Sequence, residues 1–197
     1  MFLFHLRLYI KHMYNPSDDT FLIANSIVNC HGNYALEIGV GSGYLTEILC
    51  NNYKFVFGTD TDFTSVKHSK AFLKNFNNKL LICCDVCDPV KFKFDIIVSN
   101  PPYLPSAGDK DVKDSTIYGG HTGTETTLRI LHLIKSNLTD EGRIIFLRSS
   151  LSDDEKINRF VDENSLKKSV LAKRKGFYEN LEVCEITKNI NGKVLFP

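Results

Sequence analysis

The chain has 197 residues and a mass of 22.4 kDa, room for one ordinary domain with its own core and too little for a two-domain enzyme. Lys and Arg number 24 against 23 Asp and Glu, so a formal charge of +1 supplies no global field for nucleic acid or an anionic membrane, and any polyanion contact has to be local. A hydrophobic fraction of 43% with 14 Phe and 8 Tyr excludes a disordered or collagen-like chain.

Residues Met1 to Ile10 are apolar, but His5 and Arg7 interrupt them, no small-residue cleavage site follows, and the run is too short to span a bilayer. Residues 1–13 are therefore expected to form an N-terminal extension, with Met13 as a second candidate start, and residues 14–197 a single domain. Ser17 followed by Asp18, Asp19 and Thr20 predicts an N-cap and an acidic first turn, opening a helix through Phe21, Ile23, Ile27 and Val28. A strand is predicted at Tyr34–Ile38, then a glycine loop, a helix at Tyr44–Asn51, a strand at Phe55–Thr59, a helix at Phe63–Phe76 and a strand at Lys79–Cys84. Phe94–Ser99 is hydrophobic enough for a central strand buried on both faces. The stretch from Ser99 to Gly120, rich in Pro, Gly and Asp, is too long for a plain connection in a compact domain and reads as functional. A helix at Gly123–Asn137, a strand at Gly142–Leu147, a helix after Ser152 and two late strands at Ser169–Lys173 and Leu181–Thr187, turning at Lys175-Gly176, complete the pattern. Alternating strands and helices predict an α/β fold, a mostly parallel sheet with an antiparallel C-terminal hairpin and helices on both faces.

Six cysteines without the dense spacing of a secreted scaffold point to a reducing compartment. Cys84 and Cys87 are spaced as C-x-x-C, but no second pair completes four zinc ligands, so buried thiols are expected and no metal is assigned.

The chemistry concentrates after the strands. Gly39, Gly41 and Gly43 follow the first strand, where glycines let backbone approach a ligand and a helix N-terminus offers free N–H groups. A dinucleotide fingerprint wants glycine at 44, which is Tyr, so NAD is disfavoured; the alternative is a plain tight turn. Glu37 beside this loop would repel a pyrophosphate and suits a ligand with an amino group. Asp60 ends the second strand at the distance where an acid holds both ribose hydroxyls, or else caps the next helix. Asp85 after the third strand can accept an exocyclic adenine amine, with Val86 against the ring. Asn100-Pro101-Pro102-Tyr103 leaves the fourth strand at the same edge. The prolines remove two donors and hold Asn100 extended. The Asn100 side-chain oxygen and the Pro101 carbonyl then each take one hydrogen of a planar NH₂ group while Tyr103 stacks on it. Density concentrates on nitrogen without a general base.

These motifs, together with Tyr14-Asn-Pro-Ser-Asp-Asp-Thr20 and Tyr118-Gly-Gly-His-Thr-Gly123-Thr-Glu125, resemble those of class I S-adenosylmethionine-dependent methyltransferases of the Asn-Pro-Pro-Tyr type. More narrowly, the chain is similar to the release-factor glutamine methyltransferases of eukaryotes and archaea. The resemblance implies a Rossmann-like seven-stranded fold. It places Thr20, Glu37, Gly39, Gly41, Gly43, Asp60, Asp85, Val86 and Asn100 at the S-adenosylmethionine site, with S-adenosylhomocysteine as product. Asn100, Pro101, Pro102 and Tyr103 would hold the substrate amide, the glutamine of the Gly-Gly-Gln motif of a class I release factor. It further implies a small zinc-binding activator as heterodimer partner, expected along Leu80–Cys84, because the usual strand order of this fold leaves that strand at an edge blunted only by Lys79 and Asp85. A cytoplasmic location, with the nucleus as a second compartment, follows from the same likeness. Two rivals stay open: an adenine-N6 or other nucleic-acid amino-methyltransferase, against which the missing base-reading elements count, and a non-catalytic cofactor-binding scaffold, against which Asn100 and Tyr103 count. Lys167, Lys168, Lys173, Arg174 and Lys175 form a local basic stretch, read as a solvated hairpin face.

Overall fold

The computed structural model describes residues 16–106 and 116–189; the N-terminal extension, Tyr14 and the segment from Asp109 to Ser115 lie outside them. Seven strands form one sheet: β1 Gly32–Ile38, β2 Tyr53–Asp60, β3 Lys79–Cys83, β4 Phe94–Ser99, β5 Leu138–Ser149, β6 Leu166–Lys175 and β7 Asn180–Lys188. Their order is β3-β2-β1-β4-β5-β7-β6, with β1 to β5 parallel and β7 antiparallel to both β5 and β6. The expected mostly parallel sheet, its C-terminal antiparallel hairpin and β3 at an edge are all present.

Among the described residues five helices cover it: α1 Asp18–Ile27, α2 Tyr44–Asn52, α3 Phe63–Phe72, α4 Glu125–Ile134 and α5 Asp154–Glu163. α1 and α2 bury Ile23, Ile27, Leu45 and Leu49 against Ile96, Val98, Ile145 and Leu147. On the opposite face α4 and α5 bury Ile130, Leu131, Ile157 and Phe160 against Leu36, Ile97, Ile144 and Phe146. Consecutive residues of β4 thus serve two cores, the reason its sequence reads as a continuous hydrophobic run. No helix of the described residues is long and apolar enough to cross a membrane.

Several boundaries differ from the sequence expectation. The α3 helix stops at Phe72 rather than Phe76, because the chain turns at Leu73, where Phe76 N–H donates to the Leu73 carbonyl (3.0 Å). The Thr139-Asp-Glu-Gly142 stretch, turn-like in composition, belongs to β5, and the ladder slips between Phe94 and Ile96 to accommodate it. Lys135–Asn137 continues α4 as a 3₁₀ turn. The late strands are longer than expected, and the hairpin turns over Gly176–Glu179, closed by Gly176 N–H to the Glu179 carbonyl (2.8 Å). Ser17 occupies the N-cap position of α1 without capping it; its hydroxyl donates to Asp19 instead.

Register sets where the chemistry can gather. Ile38 lies beside Thr59 and Ser99, and Asp60 beside Cys83, so the chain leaves β1, β2, β3 and β4 at one level.

Candidate active site

Four exits at the carboxyl edge of a parallel sheet form the crevice where ligands bind in such folds. The Gly39–Gly43 loop is pinned to β2 and α3: Gly39 and Val40 N–H donate to the Thr59 carbonyl (2.8 and 3.0 Å), and the Ser69 hydroxyl donates to the Gly41 carbonyl (2.8 Å). Gly39 and Gly41 have φ of 82° and 45°, and a Cβ at either would meet no atom within 4 Å. The loop therefore needs left-handed backbone and leaves open space above it. Gly43, at φ 87°, turns the chain into α2 against Ser69 and Phe72.

Three carboxyl groups stand around that space. Glu37 is 2% exposed, its carboxyl accepting from the Thr46 hydroxyl of α2, and burial pushes its pKa up to about 8. Asp60 accepts from Gly41 N–H (3.0 Å) and Asp62 N–H (2.9 Å), which ties the strand end to the glycine loop. The helix-capping role considered for Asp60 belongs to Asp62, which accepts from Thr64 and Ser65 N–H (3.0 Å each) at the start of α3. Asp85 accepts from both terminal guanidinium nitrogens of Arg129, Nη1 at 2.9 Å, and this partner holds its carboxyl below the usual range. The pair is solvent-exposed, and such pairs are worth roughly 0 to 1 kcal/mol, so a ligand can displace Arg129 at small cost. Val86 sits at φ 48°, its side chain in the core and its carbonyl accepting from Thr59.

Asn100–Tyr103 follows β4 with Pro101 buried and the other three partly so. Asn100 Nδ2 donates to Asp19 (3.2 Å), and the Tyr103 hydroxyl lies 3.4 Å from the same carboxylate oxygen. Thr20, 4% exposed, gives its N–H to Asp19 (2.7 Å). The 116–125 segment packs beneath: Leu104 N–H donates to the Ile117 carbonyl (3.1 Å) and Gly119 N–H to the Leu104 carbonyl (2.9 Å). A Cβ at Gly119 would collide with the Pro102 carbonyl, and one at Gly123 with the Tyr103 carbonyl.

The expected site residues lie at or just after the carboxyl ends of β1 to β4, with Thr20 on α1; Val86 differs from the expectation, since its side chain is buried in the core and is not presented to a ligand ring. Sequence reasoning overlooked Asp19, seen only as a first-turn acid, and Arg129, whose place opposite Asp85 depends on how α4 crosses the sheet. The Cys84 and Cys87 thiols are raised by burial, Cys87 to about 11, so neither is a ready thiolate. A groove of about 830 Å³ opens at the amino edge of β1, β4 and β5, away from this crevice, and its Asp95 carboxylate is taken up by Asn33 and Tyr34 N–H (2.7 and 3.1 Å).

Residues 18–178 match the family model of the methyltransferase small domain. The chain belongs to the methyltransferase small-domain family. One relative of this methyltransferase, from Methanocaldococcus jannaschii and named by inference a protein N5-glutamine methyltransferase, is 31% identical over 87% of the chain and 89% of its own length. Among solved structures, the Mtq2–Trm112 complex of E. cuniculi, described as responsible for methylating the eRF1 translation termination factor, matches with a TM-score of 0.72 at 22% identity over 90% of this chain and 99% of that one. The ribosomal protein L11 methylase of Lactobacillus delbrueckii subsp. bulgaricus matches at 0.66 with 21% identity, over 89% of this chain and 80% of its own. These likenesses share the seven-stranded methyltransferase fold.

Proposed function

We propose that this methyltransferase moves a methyl group from S-adenosylmethionine to the side-chain amide nitrogen of the glutamine in the Gly-Gly-Gln motif of a class I release factor. The observation that carries the reading is the Asn100–Tyr103 turn, which leaves β4 at the sheet edge where the open glycine loop leaves β1 and supplies an amide oxygen, a carbonyl and an aromatic ring. The residues present suit the cofactor: Gly39 and Gly41 leave room where side chains would intrude, and, were it bound there, Asp60 would accept from its ribose hydroxyls, Glu37 would supply a carboxyl for its ammonium, Asp85 would take the adenine amine once Arg129 moves aside, and Thr20 would stand beside it. When bound, the cofactor supplies an activated methyl on a sulfonium and its own leaving group.

The chain's part is orientation. Asn100 and the Pro101 carbonyl accept the two amide hydrogens, the Tyr103 ring holds the amide plane, and the nitrogen lone pair is aimed at the methyl. The M. jannaschii relative, named for this chemistry, supports the amide over a nucleobase. The hairpin supports it too, since three of its cations are already committed: Lys168 to Asp154, Lys173 to Glu182 and Arg174 to Asp18. A small zinc-binding activator docks along β3, where Leu80 is 46% exposed and the partly exposed rings of Tyr34 and Phe92 continue the apolar surface at 4.6 Å centroid separation. A release-factor substrate places the enzyme in the cytoplasm, with the nucleus as a second site.

Mass spectrometry of a purified class I release factor after incubation with the full chain, S-adenosylmethionine and a candidate activator should detect one added methyl on the Gly-Gly-Gln glutamine. Methylation of adenine in DNA with none on the release factor would reverse the assignment.

A further inference from the structure

We propose that Asp19 is the positioning residue that decides which end of the Asn100 amide faces the reacting nitrogen. Asp19 lies in the first turn of α1 and is 7% exposed, an unusual place for a charged side chain unless its oxygens are well supplied with donors. They are. Oδ1 accepts from Thr20 N–H (2.7 Å) and from the Ser17 hydroxyl. Oδ2 accepts from Asn100 Nδ2 (3.2 Å), 81 residues away in sequence, and sits 3.4 Å from the Tyr103 hydroxyl. One carboxylate therefore joins the opening of α1 to both side chains of the turn after β4.

The chemical consequence follows from what each group can offer. A side-chain amide has a donor end and an acceptor end of nearly the same shape, so shape alone does not distinguish them. A carboxylate offers acceptors only. Opposite Asp19, Asn100 has to present Nδ2, and its Oδ1 is thereby turned away from α1. With the amide reversed, two oxygens would face each other at Asp19 and an NH₂ would be offered to the substrate NH₂, so both contacts would be lost together. The Tyr103 contact, longer and weaker, ties down the hydroxyl of a ring that packs against the core beneath α1. Asp19 also lies in the first turn of α1, where the helix N-terminus favours negative charge.

This inference rests on the reading that an amide NH₂ is the methyl acceptor, and its test separates the two. In the full-length, ligand-free protein the Asn100 side-chain NH₂ is followed by ¹⁵N NMR, assigned by its loss in Asn100→Ser. One proton should be shifted downfield and protected from exchange in the wild type, and both features should vanish in Asp19→Asn, which keeps the volume but restores a donor end. Against the release factor, Asp19→Asn should lose about 10²-fold in kcat, with KM for both substrates within about threefold. Adding Asn100→Ser to Asp19→Asn should lower kcat little further. An Asn100 NH₂ that exchanges freely in the wild type, or unchanged kcat in Asp19→Asn, overturns the proposal. Should Asp19→Asn fail to fold, the exchange measurement on the wild type still decides it. A wild-type chain that methylates no amide removes the functional reading, while the NH₂ signal continues to report on Asp19.

Discussion

Glu37 is the side chain with the most to lose by being where it is. Its carboxyl is buried, its ordinary pKa of 4.5 is pushed up to about 8 by that burial, and Asp60 nearby adds to the rise. Between those two pH values the unfolded chain binds fewer protons than the folded one, so stability should fall as pH rises from about 5 to 8, by at most about 1.4 kcal/mol per unit. Thermal unfolding across that range should show the slope, and Glu37→Gln should flatten it. A cofactor bearing an ammonium favours the ionised form, so its affinity should climb over the same interval. Asp60 stands differently, part-buried with two backbone N–H bonds that already orient it. Removing it in Asp60→Ala should weaken S-adenosylmethionine by roughly 1.5 to 3 kcal/mol, read by titration calorimetry.

The turn after β4 depends on a second element for its shape. Glu125 gathers the Thr122 hydroxyl (2.7 Å), Thr122 N–H (3.0 Å) and Lys156 (3.2 Å); although partial burial pushes its carboxyl up, these bonds outweigh it and hold the pKa at about 2. The segment so gathered presents Gly119 to the Pro102 carbonyl and Gly123, at φ 75°, to the Tyr103 carbonyl. Gly119→Ala has no free volume to occupy and must push the Asn100–Tyr103 turn. It should lower kcat at least tenfold and destabilise the fold by about 1 to 3 kcal/mol, with cofactor affinity within about threefold. Paired kinetics and calorimetry on that variant check both halves.

A seven-stranded open sheet has two edges, and this one treats them unlike. β6 carries Lys167, Lys168, Lys173, Arg174 and Lys175, the charge that natural edges use against unwanted pairing. β3 carries Lys79 alone, with Leu80 exposed beside it. A partner strand is accordingly expected on β3. Leu80→Asp should weaken the heterodimer by tenfold or more in pull-down or calorimetry while cofactor binding persists; a fully active monomer with slow amide exchange along β3 would remove the partner. At the other edge, the salt bridges of Lys173 to Glu182 (2.7 Å) and Arg174 to Asp18 (2.6 Å) leave less positive charge than the sequence suggests, so binding to duplex DNA should stay weak at physiological salt in a filter assay.

Sequence alone determined what local chemistry decides. Apolar runs named all seven strands, the glycines after β1 marked a loop of left-handed backbone, and the two prolines announced a stiff turn, because each depends on backbone preferences within a few residues. Boundaries were less legible: Thr139-Asp-Glu-Gly142 composes a turn, yet pairing with β4 draws it into β5 through a slipped register. Three things belonged to tertiary structure alone. Arg129 reaches Asp85 across 44 positions of chain, Gly119 reaches Pro102 by close packing, and Asp19 reaches Asn100 across 81. Asp18 and Asp19 are indistinguishable as first-turn acids; which one turns inward depends on the face α1 buries, and that is settled only when Ile23 and Ile27 seat against the sheet, leaving Asp18 at the surface with Arg174 and Asp19 beneath the turn that follows β4.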